Sequence, residues 1–179
     1  TLVAATNPCP CGWFGEPEAT CRCGEGARRR YWGKLSGPLL DRIDLQVVMR
    51  RLSGVELGAS YRHDCAHKPE GTAVVAARVR QARQRMARRN PGGCSNGALP
   101  AAELGRTLHL QADALQLWEG AVSHRRLSAR GAERLLRVAQ TISDLDDRPT
   151  IEPGAIAEAL GYRSFDQAAE GQGEQRRPT

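Results

Sequence analysis

Leu35-Ser36-Gly37-Pro38-Leu39-Leu40-Asp41-Arg42-Ile43-Asp44-Leu45-Gln46-Val47-Val48-Met49 is the stretch on which the fold reading turns. Ser36-Gly37-Pro38 is turn chemistry, and the apolar run that follows Asp44 reads as a strand as far as Met49. Upstream, Leu2 to Thr6 reads as another strand that stops at Asn7-Pro8, where proline removes a backbone donor. Between them Ala27 to Lys34 has helical character. The front of the chain, residues 1–52, is therefore expected to be α/β with an incomplete parallel sheet.

Downstream the pattern changes. Residues 53–69, with Gly54, Gly58 and Pro69 among scattered polar groups, read as a linker with at most a short helix. From Gly71 to Arg89 the residues Val74, Val75, Val79, Ala82 and Met86 recur at helical spacing, and Asn90-Pro91-Gly92-Gly93 ends the run. Helical patterns return at Ala101 to Thr107, Gln111 to Ser123, Ser128 to Leu145 and Pro153 to Leu160. Residues 70–163 are thus expected to form an all-α bundle, and 164–179, polar and rich in Gly and Gln, a disordered tail. The chain opens at Thr1 directly into Leu2-Val3-Ala4-Ala5, so its start is expected to be a truncation.

The bulk numbers agree with a helix-rich globular protein. Of 179 residues 40% are hydrophobic and only 4% aromatic, so the core must come from aliphatic side chains. The net charge of +6 is carried by arginine, Lys34 and Lys68 being the only lysines among 26 basic residues. Arginine favours bidentate contacts to phosphate and carboxylate. Without a 20-residue apolar run or a signal-peptide pattern, neither a membrane span nor secretion is supported, and a cytoplasmic setting is expected.

Three constellations bear on chemistry. Cys9-Pro10-Cys11-Gly12 and Cys21-Arg22-Cys23-Gly24 put four thiols within fifteen residues, a set suited to tetrahedral zinc. Reduced free thiols and disulfides are the alternatives, because a one-residue gap strains simultaneous ligation by paired cysteines. Cys65 and Cys94, with His63 and His67, form a looser grouping that reads as ordinary loop residues. Arg42 stands between Asp41 and Asp44, either paired with them or presented to a neighbouring subunit's phosphate. Arg130, Arg134 and Arg137 share a helix face, with Ser128 placed to cap its start. The helix from Gly71 carries Arg78, Arg80, Arg83, Arg85, Arg88 and Arg89 with no acid before Glu103, which suits a nucleic-acid backbone or an acidic partner.

The runs Leu2 to Gly12, Cys21 to Cys23, Arg29 to Tyr31, Lys34 to Leu45, Leu127 to Arg130 and Ala159 to Arg163 together resemble the C-terminal half of the ComM/YifB proteins. These are magnesium-chelatase-like AAA+ ATPases related to the MCM helicases. The resemblance implies an AAA+ core remnant followed by a helical lid. It also implies that Asn7 matches the sensor-1 asparagine that orients the attacking water, Arg42 the arginine finger and Arg130 the sensor-2 arginine. For the complete protein it implies ATP and Mg2+, a homo-oligomer in the form of a hexameric ring, and action on DNA such as branch migration during natural transformation. The chain holds no Gly-x-x-x-x-Gly-Lys-[Ser/Thr] motif and no apolar run ending in paired acids, so alone it is expected to bind ATP weakly or not at all. Two other readings compete: a zinc-stabilised basic nucleic-acid-binding module, and a magnesium chelatase motor subunit serving a porphyrin-binding partner.

Overall fold

The computed structural model describes residues 2–16, 19–62 and 70–163. These fall into two compact units, one drawn from residues 2–16, 19–40 and 49–62 and the other from 41–48 and 70–163. In the first, helix α1 (Glu25–Trp32), the single turn α2 (Gly37–Leu40) and α3 (Gly54–Arg62) follow one another along otherwise irregular chain. The second contains α4 (Thr72–Arg89), α5 (Ala101–Thr107), α6 (Ala112–His124), α7 (Ala129–Leu145) and α8 (Pro153–Gly161).

The helices of the second unit begin and end where their chemistry dictates. Ser128 caps α7, its hydroxyl accepting from the Gly131 amide at 3.0 Å and so satisfying one of the donors a helix start leaves open. Pro153 opens α8, a position where its missing N–H costs nothing. Helix α4 stops at Asn90, after which Gly92 and Gly93 take positive φ values of 64° and 69° that turn the chain away. One face of α7 carries Leu135, Ala139 and Ile142 into the core, where they meet Ile156 and Leu160 of α8. Leu135 and Ile156 are almost fully buried.

Under that core lies a polar one. Asp144, fully buried, receives both guanidinium ends of Arg89 at 2.6 and 2.9 Å and the Asn96 amide at 2.8 Å. Asn90 in turn donates to Asn96 and to the Cys94 carbonyl. A buried carboxylate is tolerated because its acceptor sites are filled in this way. The network joins α4 to α7.

The sequence expectation of an α/β front half, and with it the AAA+ core remnant, is corrected by this structure. Among the described residues there is no β-strand, and the one strand-like pairing is an isolated parallel bridge between Leu110 and Ile151. Residues 2–6 and 44–49 are irregular, with Val3, Val48 and Met49 at least three-quarters exposed. Apolar, β-favouring composition describes what a strand would like to bury; a strand exists only when a neighbour takes up its amides and carbonyls. Near Arg42 that neighbour is a helix end, where the Gln46 amide donates to the Tyr162 carbonyl at 2.8 Å. No helix among the described residues is long and apolar enough to cross a membrane.

Candidate functional site

The cysteine loop is built from its turns. Gly12 donates from its amide to the Cys9 carbonyl at 3.0 Å with φ at +78°, a conformation that lets the chain reverse within the Cys-x-Cys unit. The reversal brings Cys9 and Cys11 together, and α1 holds the loop in place. Trp32 donates from its indole nitrogen to the Pro8 carbonyl at 2.9 Å, the Tyr31 hydroxyl lies 3.0 Å from that of Thr6, and Arg28 donates to the Cys23 carbonyl. Arg28 also stacks 4.6 Å above the Phe14 ring.

All four predicted ligand residues converge. The Sγ atoms of Cys9, Cys11, Cys21 and Cys23 lie within 4.8 Å of one another, and none is in a disulfide. The separations are 3.4 Å for Cys9–Cys11, 3.7 Å for Cys9–Cys21 and 3.6 Å for Cys11–Cys21. Four sulfurs about 2.3 Å from a central zinc would stand about 3.8 Å apart, so the donor type and spacing fit a tetrahedral thiolate-bound ion. Backbone amides prepare the charge. Hydrogen bonding from the Trp13 backbone, and then from Arg22, draws Cys11 down to about 6, against the opposing effect of desolvation. Cys23, bonded to Cys11, is pushed up to about 12, its proton retained by the thiolate beside it. The loop holds negative charge at its centre. The looser grouping is not brought together: Cys94 packs against the core of the second unit, while His63, Cys65 and His67 lie outside the described residues, as does the segment 164–179.

The nucleotide-facing candidates are distributed between the units. Asn7 is exposed at the entry to the cysteine loop in the first. Arg42 and Arg130 are exposed in the second, Arg42 in the turn after α2 and Arg130 in the first turn of α7. The carboxylates flanking Arg42 are engaged by other residues. Asp41 accepts from Arg163 at 3.2 Å and from the Ser128 hydroxyl at 3.1 Å; Asp44 accepts from Arg134 at 2.9 Å. Arg134 also donates to the Arg42 carbonyl. The sequence marked Arg134 only as one of three arginines on a helix face and gave Arg163 no role; the one cue to their partners was the pair of acids around Arg42. On α4, Arg78 pairs with Glu70 at 2.9 Å, Arg85 with Asp147, and Arg89 with Asp144. Arg80, Arg83 and Arg88 are exposed and enter no ion pair among the described residues.

Two family models match the chain in succession. The family model described as magnesium chelatase, subunit ChlI C-terminal, matches residues 69–163, and that of magnesium chelatase, subunit ChlI, matches residues 1–57. The chain is 38% identical over 164 residues to an uncharacterized protein of Mycobacterium tuberculosis, covering 90% of this chain and 31% of the relative. It is 34% identical over 166 residues to the uncharacterized protein YifB of Escherichia coli, covering 93% and 31%. It is 33% identical over 164 residues to competence protein ComM of Haemophilus influenzae, covering 92% and 30%. The chain thus spans less than a third of the length of these relatives.

Proposed function

The chain belongs to the magnesium-chelatase-like family that includes YifB and ComM, and from that premise we propose that it is the C-terminal part of an ATP-driven ring motor acting on DNA. The observation that carries the proposal is the placement of Arg42: an exposed residue on a turn tied by its neighbours to the helix that carries Arg130. In this reading Arg42 extends to ATP bound by the adjacent protomer and stabilises the negative charge that spreads over the transferred phosphoryl group. Arg130 approaches the nucleotide from the first turn of α7, and Asn7 orients the attacking water. The phosphate cradle and the magnesium ligands belong to sequence outside this chain, so the activity is that of the complete, oligomeric protein. DNA as the substrate rests on the exposed Arg80, Arg83 and Arg88, which suit a phosphate backbone.

Zinc held by Cys9, Cys11, Cys21 and Cys23 completes the proposal as a structural ion. Four thiolates fill a tetrahedral zinc and leave no open position for substrate. The experiment that tests the motor reading is Arg42→Ala in the complete protein. ATP turnover should fall at least about a thousandfold while nucleotide binding is kept; retained turnover would remove the arginine-finger assignment. A nucleic-acid module without ATPase function would instead show salt-dependent DNA affinity in this chain alone, lost on chelation.

A further inference from the structure

Helix α7 and the two residues after α8 do more than pack against the core: they grip the turn that carries Arg42 from both sides. Arg163, whose side chain is only 3% exposed, reaches Asp41 at 3.2 Å, and the same carboxylate takes the hydroxyl of Ser128, the α7 cap. On the other side of Arg42, one nitrogen of Arg134 donates both to the Asp44 carboxylate at 2.9 Å and to the carbonyl of Arg42 itself. The Gln46 amide bonds to the Tyr162 carbonyl two residues further on. The approach is close. A Cβ at Gly131 would stand 3.2 Å from Asp41 Oδ1 and 3.4 Å from Arg163 Nη2, so a side chain there would require these two groups to give by a few tenths of an ångström.

These contacts have a directional consequence. Residues 41–48 belong to the same compact unit as α7, and the guanidinium of Arg42 projects from a backbone anchored at the residue before it, at its own carbonyl and at the residue two places after it. We propose that Arg134 and Arg163 are positioning residues that fix Arg42 relative to Arg130, so that the two nucleotide-facing arginines move as one body. The proposal rests on the arginine-finger reading of Arg42. A finger misplaced by about 1 Å loses on the order of a hundredfold in rate, because its whole effect is electrostatic and geometric. The grip is therefore a rate device: it leaves nucleotide affinity alone and sets how well Arg42 meets the transition state. Arg134 is the better target for a test, since its side chain is 23% exposed and its partner Asp44 is 59% exposed, whereas Arg163 is enclosed.

The experiment compares Arg134→Ala, Arg134→Lys, Asp44→Asn and Arg42→Ala in the complete protein, reading ATP turnover and backbone amide exchange together. Arg134→Ala should lower kcat by roughly thirtyfold to a hundredfold, with KM for ATP held within about threefold. The amide of Gln46 should exchange faster while those of residues 135–145 are unchanged. Arg134→Lys, whose ammonium can still donate to both oxygens, should recover most of the turnover, and Asp44→Asn should shift both readouts in the same direction as Arg134→Ala but less. If Arg42→Ala abolishes turnover while Arg134→Ala and Asp44→Asn leave kcat and Gln46 exchange at wild-type values, the positioning role is overturned and the finger stands. If Arg42→Ala itself retains turnover, the finger reading fails and the positioning role with it. A fall in kcat accompanied by faster exchange throughout α7 would mean general destabilisation and would also overturn the proposal.

Discussion

Among the described residues the first unit buries a single hydrophobic side chain, Cys9, while the second buries Leu99, Leu135, Ile151 and Ile156 to 2% exposure or less. In the first, Trp13, Phe14 and Leu39 are all more than a third exposed. Two neighbouring parts of one chain are thus held by different physics. The second unit gains its stability from aliphatic area removed from water, at about 25 cal/mol per Å2, with a satisfied polar network beneath. The first has too little apolar burial for that, and what it has in its place is convergence of four sulfurs, to which the proposed zinc would add folding free energy. The arginines that matter for the proposed motor follow the division: Arg42 and Arg130 are attached to the unit with the aliphatic core.

The contrast can be broken most severely from the second unit. Asp144→Ala should destabilise that unit by about 3–5 kcal/mol, because it leaves the Arg89 guanidinium and the Asn96 amide without the acceptor they share. Chemical denaturation followed by the fluorescence of Trp118, which packs against this core, would measure it. Zinc content should be unaffected.

Acid should separate the units in the opposite sense. Because Cys11 is drawn down to about 6, its thiolate contributes fully above the range of a free thiol, about 8.5, and that contribution is lost as pH falls through about 6. Cys23, raised to about 12, holds its proton at neutral pH and must release it when a metal binds. Zinc affinity, followed by competition with a chromophoric chelator, should therefore decline as pH drops from about 8.5 to about 6 and more steeply below, with protons released on binding. The α6 to α8 core, whose stability is aliphatic, should show no transition over the same interval.

A smaller effect sharpens the account of α7. Ser128→Ala removes both the cap to Gly131 and the bond to Asp41, and should cost about 1 kcal/mol of the second unit's stability. A thermal melt of the variant against wild type reads it directly.

Much of the helical unit was legible because its signals are local. Ser128 before an apolar stripe, Pro153 at a helix start and Asn90-Pro91-Gly92 at a helix end each act within one turn of chain. The four cysteines were legible as a set for the same reason, although their one-residue gap argued against joint ligation. The structure meets that objection through Gly12, just past the pair, whose positive φ and amide bond to the Cys9 carbonyl close a turn around the gap residue Pro10. Helix α3 had a local signal too: Ser53 and Glu56 form a capping box, the Ser53 amide donating to the Glu56 carboxylate at 2.8 Å and the Glu56 amide to the Ser53 hydroxyl at 3.2 Å. Gly54 and Gly58 obscured it. What failed was residues 44–49, where β-favouring side chains were read as a strand without a partner to pair with. The grip on Arg42 was not legible at all, since Arg163 and Asp41 are joined only by the fold, and a charge pattern names no partner at that distance along the chain.

The division into a sulfur-held and a hydrocarbon-held unit is tested most directly by removing metal from purified chain while following amide exchange along its length. About one zinc per chain should be present beforehand, and stripping it with a chelator should abolish protection around α1 and the cysteine loop while α6 to α8 keep theirs. Fewer than about half an equivalent of zinc, or protection around α1 that survives chelation, would contradict it.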